Sequence, residues 1–223
     1  NEAAIIEYFT FQNILTNKTF FKDLQILESG TILEVEIKKR EFHINKTKYW
    51  DFNFNNENDN CSETEYVEEI KRLFTKAVER QLVSDVEIGS YLSGGIDSGS
   101  IVAVTSQKIK NLKSFTCGFD MSFTSDYEKE FDEREKAREF SKIFKTDHHE
   151  LVINANDIES CLSKLVWHME EPRVGQSYPN YHISGYASNF LKVILSGAGG
   201  DELFGGYPWR YFLNNKNSNL SDY

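Results

Sequence analysis

The residues best suited to chemistry lie together near the middle of the chain, in the run Ser93-Gly94-Gly95-Ile96-Asp97-Ser98. The run follows a strand-like segment and precedes a helix-like one. Its glycines would let the backbone approach a ligand closely and take positive φ. The following helix N-terminus would offer free N–H groups and partial positive charge to a phosphate, and Asp97 is a natural ligand for magnesium bound to phosphates. A tight turn without a ligand is the alternative, and the strand–loop–helix setting favours the phosphate site.

A second glycine-rich segment begins about 100 residues later and reads Ser196-Gly197-Ala198-Gly199-Gly200-Asp201-Glu202-Leu203-Phe204-Gly205-Gly206-Tyr207. Core packing does not explain so many glycines, since each costs backbone entropy without burying a side chain. Asp201 and Glu202 would form a second anionic pole, suited to a metal ion. Neither loop is a G-x-x-x-x-G-K-[ST] or G-x-G-x-x-G pattern. Two such loops after strands indicate a magnesium–nucleotide clamp.

The segments around these loops alternate between strand-like and helix-like patterns. Ser62 and Glu65 form a capping-box pattern, and the apolar spacing from Tyr66 to Leu82 predicts a helix with one buried face. The other predicted elements are strands at 86–92, 113–119, 149–153 and 192–195 and helices at 98–110, 132–145, 156–169 and 181–190. Strands separated by helices predict an α/β fold, a parallel doubly wound sheet with flanking helices.

The first 50 residues have a different pattern, with short β-like pieces of which Thr31–Ile37 is the clearest. That piece alternates apolar and polar side chains, as a half-buried strand does. The next ten residues, 51–60, are polar and typical of a linker. The sequence therefore predicts a small β-rich piece at 1–50, a linker at 51–61 and an α/β domain at 62–223.

Composition excludes several classes of protein. The formal net charge of −10 argues against a general nucleic-acid or membrane-surface binder, because both need basic patches. No apolar run is long enough for a membrane span, and the first residues lack the pattern of a signal peptide. The three cysteines are widely spaced and odd in number, which favours reduced thiols in a cytoplasmic protein.

The loop Ser93–Ser98 resembles the PP-loop of ATP pyrophosphatases, which implies the adenine nucleotide α-hydrolase-like fold. Over nearly the whole chain, the sequence resembles the synthetase half of glutamine-hydrolysing asparagine synthetases, class-II amidotransferases related to β-lactam synthetase. Residues 1–50 resemble the C-terminal end of the family's glutaminase domain. The motifs that carry the resemblance, besides the two loops, are Phe115–Phe119, Phe131–Glu133, Ala137-Arg138, His148–Glu150 and Glu170–Pro172.

This resemblance implies a reaction in which ATP and Mg²⁺ activate a side-chain carboxylate, aspartate in the family's namesake, as an acyl-adenylate. Ammonia then displaces AMP. The implied catalytic residues are Asp97, Asp201 and Glu133, and the two aspartates are also the implied magnesium ligands. The implied nucleotide contacts are Ser93, Gly94, Gly95 and Ser98 to pyrophosphate, Leu92 and Cys117 beside the adenine, and Ser196 and Gly197 at the ribose and α-phosphate.

Three departures from the family pattern keep other acceptors open. Ala198 and Gly99 stand where the family usually has an acid and a serine. Between Pro172 and Ser177, where the family often has an acid, this chain has none. The alternatives are an amidotransferase or lactam-forming ligase with another carboxylate acceptor, and a nucleotide-binding module without catalysis.

The resemblance also implies parts that this chain does not show. Residue 1 is Asn where the family's glutaminase has a nucleophilic cysteine, so ammonia is expected from a glutaminase domain absent from this chain. We expect a fragment cut at both ends that is inactive alone, with no nucleic-acid or membrane partner; a homodimer stays open. His148 and His149 are interpreted as solvent-facing residues at a strand end.

Overall fold

A computed structural model describes residues 1–38, 41–53, 61–122, 132–172 and 175–207. Within these residues the chain forms two compact units. The first comprises residues 1–62 and 169–172, and the second comprises residues 63–168 with the described residues after 172. Part of the predicted linker, residues 54–60, lies outside the described residues, as does everything after Tyr207.

The first unit contains a helix and a β-hairpin. Helix α1 spans Glu2–Phe11, where the sequence pattern had indicated only β-like pieces, and the Asn1 side chain accepts a hydrogen bond from the Ala4 amide at its start. Strands β1 (Thr31–Lys38) and β2 (Glu41–Lys48) pair antiparallel. At the open end of the hairpin Gly30 has φ of 64°, and a Cβ there would lie 2.2 Å from the Trp50 carbonyl oxygen, so only glycine fits.

The second unit confirms the predicted α/β class. Its strands are β3 (Ile88–Tyr91), β4 (Lys113–Phe119), β5 (Asp147–Ile153) and β6 (Val193–Leu195). All pairs are parallel and the order is β5-β4-β3-β6. The helices are α2 (Glu63–Gln81), α3 (Ile96–Thr105), α4 (Arg134–Phe144), α5 (Ala155–Met169), α6 (Ser177–Ala187) and the short α7 (Gly200–Phe204).

Two apolar clusters show how helices cover the sheet. One cluster joins Leu92 after β3 with Val102 of α3 and Ala137 of α4, and also contains Leu112. The other joins Phe115 of β4 with three residues of α6 and the segment after it, Ile183, Ala187 and Leu191. Because successive strand residues point to opposite faces, helices α3 and α4 cover one face and α6 the other, which makes the sheet doubly wound.

Several predicted elements differ from the structure. Helix α3 ends at Thr105, five residues before its predicted end, and strand β1 is exposed along almost its whole length rather than half-buried. Helix α6 begins at Ser177, four residues earlier than predicted. Pro179 does not prevent the earlier start, because it lies in the first turn, where its missing N–H costs no helical hydrogen bond. Helix α2 does not have the predicted buried face: Val78 is buried, whereas Tyr66, Ile70 and Leu73 are 45%, 47% and 51% exposed. The buried residue of its apolar stripe, Val78, lies near the C-terminal end. Across the described residues, no helix has the length and apolar character that crossing a membrane requires.

Candidate functional site

The strand order places the two glycine-rich loops side by side. Strands β3, β4 and β5 follow one another in one direction, and the chain then returns so that β6 pairs on the other side of β3. Open α/β sheets bind ligands at such a reversal, beyond the carboxyl ends of the strands. The first loop follows β3 and the second follows β6, so both lie at this point of the sheet.

Two serine hydroxyls hold the first loop together. The Oγ of Ser98 accepts a hydrogen bond from the Ser93 amide at 2.9 Å and lies 2.9 Å from the Ser93 Oγ. The Ser93 Oγ in turn accepts from the Gly95 amide at 3.1 Å, and Ser98 donates to the Gly95 carbonyl at 3.3 Å. Ser98 is buried. The hydroxyls therefore shape the loop in this structure, and their proposed contact with pyrophosphate stays a prediction.

The glycines of the first loop act differently from the sequence-based expectation. Gly95, at the start of α3, has φ of −82°, and Gly94 also lies outside the positive-φ region. Positive φ occurs instead in the second loop, at Gly199 and Gly205. What Gly94 provides is space: a Cβ there would lie 2.9 Å from Lys136 Cβ and 3.3 Å from Glu133 Cβ. The expected positive φ at both glycines of the first loop was wrong. Close packing explains glycine at position 94, whereas a Cβ at Gly95 would meet only the Ser93 Oγ, at 3.2 Å.

The second loop packs directly on the first through Asp97. A Cβ at Gly197 would lie 2.8 Å from the Ser98 amide nitrogen, and one at Gly200 would lie 2.3 Å from the Asp97 carboxyl carbon. The loop backbone can approach this closely only because both positions lack side chains. Asp201 has its carboxylate against Gly206, at the far end of the same loop. The structure thus brings both predicted aspartates to the second glycine-rich loop.

Leu92 directly follows β3, and Cys117 lies two residues before the end of β4. The Leu92 side chain is 1% exposed in the core, its amide donates to the Phe115 carbonyl at 2.9 Å, and its carbonyl accepts from the Thr116 hydroxyl. Burial raises the pKa of the half-buried Cys117 thiol to about 11, so it is protonated at neutral pH. The three cysteines form no disulfide. The adenine contact predicted for these two residues stays a prediction.

Ser196 and Glu133 complete the predicted site residues. The Ser196 Oγ is exposed at the start of the second loop and accepts a hydrogen bond from the Ala198 amide at 3.2 Å. Glu133 caps α4 through its backbone, and its Cβ contacts the position of Gly94. Sequence reasoning missed Lys136 and Arg134, which α4 brings to the same region; no motif in the sequence signals their proximity to the loop.

His148 and His149 are not solvent-facing, which corrects the sequence-based interpretation. Their side chains are only 10% and 19% exposed, and both lie in the first half of β5 rather than at its carboxyl end. His148 Nδ1 lies 2.8 Å from the Ser114 hydroxyl, and burial lowers the His148 pKa. The ring of His149 stacks on Phe115 with centroids 5.2 Å apart. Both histidines therefore pack on the neighbouring strand β4.

The described side chains around Asp97 provide too few metal ligands to bind magnesium without a further bound molecule such as a phosphate compound. Among the described residues, no three His, Cys, Asp or Glu side chains lie together so as to hold a metal ion. Mg²⁺ commonly binds through one or two carboxylates, with waters and substrate phosphates completing its shell. In the described part of the chain, Asp97 and Asp201 do not form a metal cage made of protein alone, and their binding of magnesium together with a phosphate ligand stays a prediction.

We expect Ser98→Ala to lower the free energy of unfolding by about 1–2 kcal/mol, because it leaves the half-buried Ser93 amide without its partner and removes one of the two partners of the Ser93 hydroxyl. Urea denaturation measures the effect. Ser106→Ala is the matched control, since its hydroxyl makes one long bond of 3.4 Å to the Ala103 carbonyl on the same helix. Equal losses in the two variants would contradict the role of Ser98 in shaping the loop.

Comparisons with known proteins identify one protein family. Residues 69–223 match the family model "Asparagine synthase". The chain is 33% identical over 210 residues to a putative glutamine-hydrolysing asparagine synthetase 2 of Methanocaldococcus jannaschii, covering 93% of this chain and 38% of the relative. It is 30% identical over 208 residues to asparagine synthetase 1 of Bacillus subtilis, covering 93% and 31%. An amidase of Penicillium rubens is 27% identical over 216 residues, covering 86% and 30%. The chain thus spans about a third of the length of these relatives.

Proposed function

Because the chain belongs to the asparagine synthase family, we propose that it is part of an ATP-dependent ligase that amidates a carboxylate through an acyl-adenylate, with AMP and pyrophosphate as the other products. Aspartate is the proposed acceptor and ammonia the proposed nucleophile. The observation that carries the proposal is the contact between the two glycine-rich loops at the strand-order reversal, where Gly197 and Gly200 pack on Ser98 and Asp97.

The proposed work of the protein residues is binding, orientation and charge stabilisation. The amides of the first loop and of the first turn of α3 would face the pyrophosphate, with the loop shape held by Ser93 and Ser98. The second loop would meet the α-phosphate through Ser196 and Gly197. Holding ATP and the carboxylate in line would lower the barrier by orientation, and loop donors would stabilise the charge that develops on the departing pyrophosphate.

Asp97 and Asp201 would hold magnesium together with the phosphate oxygens. When bound, the ion would supply positive charge to the phosphates. Glu133 would lie beside Gly94 with its carboxylate available to the acceptor side of the site; in this structure it is exposed and makes no side-chain bond at the helix cap.

The second candidate function is the same reaction with a carboxylate acceptor other than aspartate. It is favoured by Ala198, an exposed residue of the second loop that replaces the acid expected there, because alanine can neither accept a proton nor bind a cation. The likeness to a Penicillium rubens amidase, a relative whose name does not include asparagine, supports the same alternative.

Pyrophosphate release from the full-length protein with ATP, Mg²⁺, ammonia and a panel of carboxylic acids tests the proposal. Release that depends on aspartate supports the first candidate, and release that depends on another acid supports the second. ATP binding without release on any acid would contradict catalysis and favour a nucleotide-binding module. Asp97→Asn should lower the rate of release by about a hundredfold, the usual scale for losing one group that stabilises transition-state charge. Asp85→Asn, an exposed position before β3, should leave the rate unchanged.

A further inference from the structure

The first turn of α4 lies over the first glycine-rich loop. At Gly94 a Cβ would meet Lys136 Cβ at 2.9 Å and Lys136 Cδ at 3.0 Å. Two carbons of one lysine stem therefore run along the loop backbone, and the ammonium follows Cδ by way of Cε. The side chain is placed alongside the loop by packing, since its stem covers Gly94, which has no side chain of its own.

Helix α4 is fixed in this position by a second contact. Arg134 lies over Gly118 of β4, where a Cβ would be 2.3 Å from Arg134 Cδ. The guanidinium makes bonds of 2.6 and 2.9 Å to the two oxygens of Asp132, and these bonds lower the Asp132 pKa. Both partners are largely shielded, with side chains 17% and 23% exposed. The helix start is thus anchored at the ends of two neighbouring strands, at Gly94 after β3 and at Gly118 in β4.

The charge on Lys136 has no partner in the described part of the chain. Its side chain is exposed and makes no ion pair or hydrogen bond there, whereas the neighbouring Arg134 and Arg138 each pair with a carboxylate. Glycine-rich phosphate loops of the Walker type carry their own lysine, and the run from Ser93 to Ser98 has none. Within the described residues, the structure thus sets the unpaired ammonium of Lys136 beside a loop whose own side chains are neutral or acidic.

We infer that Lys136 is a phosphate-binding residue, whose ammonium contacts the β- or γ-phosphate of the nucleotide bound at the first loop, and that the Arg134–Asp132 pair positions it. The inference deepens the proposed function and rests on it. The cation reaches the loop from a separate helix, so it adds charge to the phosphate site without lengthening the tight turn between β3 and α3.

Titration of the full chain with ATP in the presence of magnesium, followed by calorimetry, tests the inference. Lys136→Met should weaken ATP binding by about tenfold, because it removes one charge-assisted contact at a partly exposed site. Binding of AMP, which lacks the two outer phosphates, should change by less than about twofold. Lys136→Arg should restore most of the ATP affinity. Inorganic pyrophosphate, used as a competitor of ATP, should also lose affinity for Lys136→Met.

Lys142→Met is the matched control, since Lys142 is exposed two turns further along the same helix. A chain that fails to bind ATP would overturn the proposed function and, with it, this inference. A chain that binds ATP while Lys136→Met and Lys142→Met retain equal affinity would overturn the inference alone. Equal weakening of ATP and AMP by Lys136→Met would also overturn it, because the lysine would then act on the loop rather than on the outer phosphates.

Discussion

Phe115→Ala is expected to lower the free energy of unfolding by about 3–5 kcal/mol, the usual cost of emptying a buried aromatic site. Phe115 is 1% exposed in the centre of the parallel sheet and packs on Ile183, Ala187 and Leu191. Its ring also stacks on His149. Because these neighbours belong to different elements that are fixed by the sheet, they cannot collapse fully into the space that the ring leaves.

Urea denaturation of Phe115→Ala measures this loss, with Phe119→Ala as the control on the same strand. Phe119 is 39% exposed and should cost about 1 kcal/mol, since most of a buried side chain's stabilisation scales with the apolar area removed from water. Similar midpoints for the two variants would contradict the placement of Phe115 at the centre of the core. A smaller dependence of the unfolding free energy on urea concentration in Phe115→Ala would indicate that unfolding is no longer a two-state transition.

The α/β class was predictable because short strand-like segments alternate with helix-like segments from residue 62 to residue 195. The strand 113–119 has the predicted bounds. Helix α1 was missed because its apolar residues do not follow one stripe: Ile5, Ile6, Phe9 and Phe11 are all exposed and only Ala4 is buried. Periodicity finds a helix through the face that it buries, and α1 buries almost none.

Contacts between residues on different strands and loops were the other part of the structure that could not be predicted from the sequence. The two loops could be named from their glycines, but their contact depends on β6 pairing with β3, which local patterns do not specify. The burial of His148 likewise depends on Ser114, which lies on the neighbouring strand. Lys136 lies 42 positions after Gly94 and on a charged helix, where a solvated lysine is the ordinary interpretation. Such contacts come from the tertiary fold, which places residues by strand order rather than by spacing.

Gly197→Ala is expected to weaken ATP binding by about ten- to a hundredfold, since about 1.4 kcal/mol of lost contact free energy lowers an affinity tenfold. The added Cβ would lie 2.8 Å from the Ser98 amide nitrogen and 3.1 Å from the Asp97 carbonyl carbon. Both are backbone atoms, so no side chain can rotate to relieve the clash. The second loop must therefore move away from the first, which separates the two surfaces that would hold the α-phosphate and the pyrophosphate.

Calorimetric titration with ATP measures the affinity of Gly197→Ala, and circular dichroism checks that the fold is retained. The methyl group should cost about 1–3 kcal/mol of folding stability through overpacking. Gly185→Ala is the matched control: nothing lies within 4 Å of its added Cβ, and Gly185 is within α6, where alanine is the better helix former. That variant should bind ATP like the unsubstituted chain and be slightly more stable. If Gly197→Ala kept its ATP affinity within about twofold, the two glycine-rich loops would not form one nucleotide site, because a ligand that spans both must respond when they are forced apart.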